Sequence, residues 1–155
     1  MELADILTER AVLTCTGAVS KRQLFETLSE RAAEITGFPR TEIFETLMGR
    51  EELGSTGLGN GIAIPHGKLR ALKGVTAIFV RLDEPIEFDS VDDQPVDLIV
   101  MLLAPTGAGA DHLKALSRVA RLLRTESVTD ELRRENDPAR LHAILTAPLE
   151  DIDAA

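Results

Sequence analysis

The stretch Val96–Ala104 (VDLIVMLLA), almost unbroken in apolar residues, constrains this chain most. It is far shorter than the roughly 20 residues that span a membrane. A strand this apolar needs cover on both faces, so it belongs in a sheet held between helical layers. Val75–Leu82 (VTAIFVRL) reads as its neighbour, with Asp83-Glu84-Pro85 as a turn and Ile86–Phe88 as a short edge strand. Ala11–Thr16 (AVLTCT), closed by Gly17, predicts another short strand.

Helical patterns lie between and after these runs. Ser20 followed by Gln23 forms a capping-box pattern, and Leu24, Leu28, Ala32 and Ile35 continue at helical spacing until Gly37-Phe38-Pro39. A second helix begins near Thr41, carries Ile43, Phe44, Leu47 and Met48 on one face, and stops before Gly54. Asp111 is the expected N-cap of a third helix, with Leu113, Leu116, Ala120 and Leu123 facing inward. Two shorter helices are expected around Ser127–Arg134 and Pro138–Leu145. Helices interleaved with strands, without a repeat or a linker, predict one α/β domain over residues 1–155: a mixed sheet with helices on both faces. Both termini, including the tail after Pro148, are expected to fray.

Charge and cysteine content narrow the function. Lys and Arg total 17 against 26 Asp and Glu, a net charge of −9. That balance opposes binding to nucleic acid or to an anionic membrane. Cys15 is the only cysteine, which excludes an internal disulfide and a Cys-rich zinc site. The opening MELADILTER is acidic where a signal peptide would be basic, so a cytoplasmic soluble domain is expected.

Candidate chemistry centres on the three histidines, His66, His112 and His142. His142 sits among Leu141, Ile144 and Leu145 and reads as an ordinary helix histidine. His66 ends Ile62-Ala-Ile-Pro-His66 after the glycine-dense loop 54–61. Pro65 is expected to end pairing there, and Gly67 to let the chain turn away sharply. His112 follows the Val96–Ala104 strand through a second glycine-bearing loop and lies in a first helical turn. If the two strands are parallel, both imidazoles emerge at one edge of the sheet, beside a helix N-terminus that favours an anion. The pair then suits a phosphate. Two metal ligands are the alternative, without a third His, a nearby Cys or HExxH spacing to support them. Arg50, just before the glycine loop, carries a planar fork suited to phosphoryl oxygens. No Walker motif and no Gly-x-Ser-x-Gly elbow occurs. A histidine nucleophile passing on a phosphoryl group remains.

The segment from Arg50 through Gly54-Ser-Thr-Gly-Leu-Gly-Asn-Gly-Ile-Ala-Ile-Pro-His66-Gly-Lys68 resembles the active-site region of the mannitol/fructose-class IIA domains of the bacterial phosphoenolpyruvate phosphotransferase system. Glu84–Phe88 with Asp92–Asp97 is similar to that family's central segment, and Asp111–Leu116 to its second-histidine helix. The resemblance spans roughly residues 5 to 146 and is greatest to the nitrogen-regulatory branch. It implies a mannitol/fructose-type IIA fold, His66 as phosphoryl acceptor, His112 as its neighbour and Arg50 as a phosphoryl clamp, supported by Ser55, Thr56 and Gly67. It also implies an HPr-like phosphocarrier as donor and regulatory targets such as potassium transporters or sensor kinases. No cofactor, metal, nucleic acid or membrane insertion is implied, and the expected state is a monomer or weak dimer. A sugar-specific IIA feeding a fructose or mannitol permease is the alternative. Outside this chemistry stand a pure docking module and a metal-dependent hydrolase.

Overall fold

The computed structural model describes residues 2–14 and 16–148, so Cys15 and the tail expected to fray after Pro148 lie outside the described residues. Short 3-10 turns at Leu3–Asp5 and Glu9–Ala11 precede β1 (Val12–Thr14). Then come α1 (Lys21–Thr36), α2 (Arg40–Glu52), β2 (Gly57–Gly59), β3 (Ile62–Ala63), β4 (His66–Leu69), β5 (Thr76–Ile86) and β6 (Val96–Pro105). Helices α3 (Gly109–Leu123), α4 (Glu126–Arg134) and α5 (Pro138–Thr146) complete the chain.

The sheet runs β1-β5-β6-β3-β2, with β4 also paired to β6. Strand β6 is its centre, buried from Leu98 to Ala104 as its apolar run requires. It pairs antiparallel with β5 and parallel with both β3 and β4, so the sheet is mixed and is flanked by helices on both faces. Ser20 caps α1 by accepting the Gln23 N–H at 3.2 Å, while Gln23 Oε1 reaches back to the Val19 N–H at 2.9 Å. Gly37 ends α1 with φ +79°, the left-handed conformation a helix C-terminus uses.

Four expectations are corrected. Strand β5 runs straight through Asp83-Glu84-Pro85, which is no turn. The register shifts between Arg81 and Ile86, and this irregularity absorbs the proline, whose missing N–H then breaks no regular ladder. The glycine-dense loop contains a hairpin, β2 to β3, turning at Asn60 and Gly61, both with positive φ. Helix α3 begins one turn earlier than expected: Ala108 holds the cap position and Asp111 lies inside the first turn, where its charge complements the helix dipole. Its buried face is also rotated, to His112, Ala115, Val119, Leu122 and Leu123, leaving Leu113 64% exposed. Counting only apolar residues omits the histidine that belongs to this face.

Fraying does not extend to residues 2–11. Leu3 and Leu7 are buried, the Ala77 N–H donates to the Ile6 carbonyl at 2.9 Å, and His142 Nε2 donates to the Leu7 carbonyl at 2.8 Å.

Candidate active site

Segment 62–69 is one strand interrupted at Ile64-Pro65. The ladder to β6 passes from Ala63 opposite Ile99 to His66 opposite Leu102. Pro65 donates nothing, yet its carbonyl accepts the Leu102 N–H at 2.9 Å. Pairing therefore resumes at His66 instead of ending there, and Gly67 is a strand residue, not a sharp turn. The reason for glycine at 67 is contact: a Cβ there would stand 2.7 Å from Thr46 Cγ2 on α2. Strand alternation sends Gly67 toward α2 and His66 with Lys68 to the other face.

That other face meets α3. The rings of His66 and His112 lie 5.7 Å apart between centroids and are tilted by 50°. Parallel β4 and β6 thus bring the two histidines together. His66 is half-buried, and its Nδ1 lies 2.9 Å from the Ile64 carbonyl. A carbonyl only accepts, so Nδ1 carries a proton, and in the neutral ring the lone pair is on Nε2.

His112 is 5% exposed, and among the described residues its Nδ1 has no hydrogen-bond partner. Burial, followed by repulsion from His66 when that ring is protonated and from the Lys68 charge, holds its pKa below the ordinary histidine value. The ring is therefore neutral at neutral pH.

Arg50 occupies the last turn of α2, one turn beyond Thr46 on the same side. Its Nη1 donates to the Gly54 carbonyl at 2.9 Å, and among the described residues it makes no hydrogen bond to either imidazole. Ser55 Oγ donates to the Phe88 carbonyl and accepts the Gly57 N–H, both at 3.1 Å. Thr56 spends both donors on Glu51: its N–H at 3.1 Å and its hydroxyl at 2.6 Å. His142, as expected of a helix histidine, serves packing at the N-terminal segment, away from this pair.

Two polar residues at or near this site were not among the sequence candidates. Lys68 shares the His66 face and acts electrostatically on His112, which the period-two spacing of β4 could have indicated. Glu51 is buried and pairs with Lys21 Nζ at 2.9 Å. A carboxylate in the last turn of a helix is unfavourable unless something nearby compensates it, and that was its available signal. Among the described residues no group of three or more His, Cys, Asp or Glu is placed to hold a metal ion. No described helix is long and apolar enough to cross a membrane.

A mixed sheet that joins one histidine at a strand start to another at a helix start defines a type-2 IIA domain. Residues 5–147 match the family model described as phosphoenolpyruvate-dependent sugar phosphotransferase system, EIIA 2, and the chain belongs to that family. It is 47% identical over 148 residues to the nitrogen regulatory protein of Bradyrhizobium diazoefficiens, covering 96% of this chain and 97% of that one. The crystal structure of nitrogen regulatory protein IIA-Ntr from Neisseria meningitidis superposes with a TM-score of 0.87 at 38% identity, covering 93% of this chain and 99% of that one. Enzyme IIAMTL of Escherichia coli, solved in complex with phosphorylated enzyme IIBMTL, shares the fold. Its TM-score is 0.76 at 20% identity, with 90% of this chain and 98% of that one covered.

Proposed function

We propose that the chain is a cytoplasmic phosphohistidine carrier of the nitrogen-regulatory type, charged on His66 by an HPr-like phosphocarrier. The observation that carries this reading is the Nδ1 contact to Ile64, which places the lone pair of the neutral ring on Nε2, beside a second, neutral imidazole. Nε2 attacks the phosphorus of the donor's phosphohistidine. A new N–P bond forms as the donor's N–P bond breaks, and that electron pair returns to the donor ring. The His66 ring gains positive charge as it bonds phosphorus, and the Ile64 carbonyl stabilises it through Nδ1–H. Neutral His112 offers an N–H to a phosphoryl oxygen without adding a proton to a crowded site. Arg50 exchanges the Gly54 carbonyl for phosphoryl oxygens that its fork fits better.

In this reading Ser55, Thr56 and Gly67 support the site by holding the loop and strand, since their donors or space are already committed to protein. The added phosphoryl group brings roughly −1.5 to −2 charges. On an already acidic chain, that change alters docking to regulatory partners such as potassium transporters or sensor kinases.

Incubation with phosphoenolpyruvate, enzyme I and the HPr-type donor should add one acid-labile phosphoryl group by intact mass. His66→Ala should abolish acceptance, and His112→Ala and Arg50→Ala should slow it on the order of 10- to 1,000-fold. An unchanged wild-type mass, under conditions that label a control IIA, would defeat the proposal. Restoration of transport in a IIA-deleted sugar system would favour a sugar-specific role instead. Equal target capture by His66→Ala and His66→Asp would favour docking independent of phosphate.

A further inference from the structure

Glu51 is almost inaccessible, 6% exposed, yet no apolar element of the core requires a carboxylate there. Its surroundings are built for it. Lys21 Nζ, from the first residue of α1, lies 2.9 Å from Oε1 and also stands 4.5 Å over the Phe88 ring. Thr56 supplies the N–H at 3.2 and 3.1 Å to the two oxygens and the hydroxyl at 2.6 Å to Oε2. A buried carboxylate with this many donors holds its partners in one geometry, because losing any of them leaves a charge unpaired.

What Thr56 does next gives the cluster a role. Its carbonyl accepts the Ile64 N–H at 3.1 Å, and the Ile64 carbonyl in turn takes the His66 Nδ1 proton at 2.9 Å. Ile64 lies in the gap between β3 and β4, and its carbonyl makes no ladder bond there. Ala63 and Pro65 hold the two sides of that gap to β6, and the contact to Thr56 is the backbone bond made by Ile64 itself within it. The chain therefore runs Lys21, Glu51, Thr56, Ile64, His66.

We infer that Glu51 is a positioning residue for phosphoryl transfer, acting through Thr56 and Ile64 to hold the His66 imidazole with its proton on Nδ1 and its lone pair on Nε2. The coupling is mechanical: successive bonds involve different peptide groups, so position and not polarisation passes along it. The inference rests on His66 being the nucleophile.

Two variants, Glu51→Gln and Thr56→Val, carry the test. Gln cannot hold both Lys21 and Thr56 as the carboxylate does. Val keeps the shape and the backbone N–H but removes the hydroxyl. In each folded variant, nitrogen-15 shifts of the His66 ring should move toward the Nε2–H tautomer. The maximal rate of acceptance from the HPr-type donor should fall on the order of 10- to 100-fold, with the donor KM changed less than twofold. Unmoved ring shifts in both variants overturn the inference, whatever the rate does. So do moved shifts with a wild-type rate. If Glu51→Gln does not fold, Thr56→Val decides alone. If wild-type protein accepts no phosphoryl group, the functional reading has failed, and the ring shifts still decide whether Glu51 sets the imidazole.

Discussion

At the residue scale, the two imidazoles differ in what burial does to them. The Nδ1 proton of His66 has a carbonyl to donate to, whereas His112 Nδ1 has no described partner and sits out of water beside Lys68 and a second ring that repels its proton when itself protonated. Protonating His112 therefore costs more in the folded chain than in the unfolded one. Because its folded pKa lies below 6.5, the unfolded chain binds more protons in the window between the two values. Stability must rise with pH through that window, and it is lost as pH falls below about 6.5. Following the His112 Cε1–H resonance should show titration below the ordinary histidine value. His66→Ala and Lys68→Ala should each move it upward, though not fully to 6.5, since desolvation is the largest cause and persists in both. A downward or null shift in both variants would contradict the electrostatic coupling.

At the element scale, the relation of β4 to α2 depends on the absence of a side chain at 67. A Cβ at that position would meet Thr46 Cγ2 at 2.7 Å, and a β-branched side chain has little freedom to retreat. Gly67→Ala should destabilise the fold by about 1–3 kcal/mol in a denaturant titration and slow acceptance by displacing α2, with Arg50, from β4. Thr46→Ser, which removes the clashing methyl, should recover most of that loss in the double variant. Additive losses would place the strain elsewhere. Much of this arrangement is legible in the residues themselves. The apolar run of β6 announces its own burial, while Pro65-His66-Gly67 marks a break in the strand but reads as its end, because the pairing of β4 with β6 that resumes at His66 is set by a distant partner. Ser20 and Gly37 mark the two ends of α1. Other parts are not legible because partners distant in sequence decide them. Pro85 reads as a turn until β6 is seen to carry β5 through a register shift. His112 is absent from an apolar count of α3 because it is a polar residue buried on that face against His66, and the clamp on Thr56 needs a lysine from α1.

At the scale of the whole molecule, the site segment is anchored from both directions. Glu51 secures its approach from the helical side, and Arg133 on α4 secures the hairpin that leads into it. Arg133 grips Asp97 with Nε at 3.0 Å from Oδ2 and Nη2 at 2.9 Å from Oδ1, and Nη2 also takes the Asn60 carbonyl at 2.7 Å. The Asp97 and Leu98 amides both donate to the Gly61 carbonyl at 3.0 Å, so hairpin, central strand and α4 meet at one point. Gly61 has no room for a side chain there: a Cβ would stand 2.6 Å from Nη2 and 2.8 Å from Oδ1. Arg133→Met removes the fork and leaves Asp97 without it, costing about 1–2 kcal/mol for a pair only partly shielded from water. If the clamp secures a separately opening unit, hydrogen exchange at Asp97 and Leu98 should accelerate on the order of tenfold. The Ile99 and Met101 amides, which face β5 in the middle of the β5–β6 ladder, should move only by the loss in global stability. Acceptance on His66 should slow in parallel, because Ile62 and Ala63 lead from the loosened turn straight to Pro65 and His66. Equal acceleration at all four amides would show instead that hairpin and core open together, with Arg133 stabilising the fold and leaving the site's local geometry untouched.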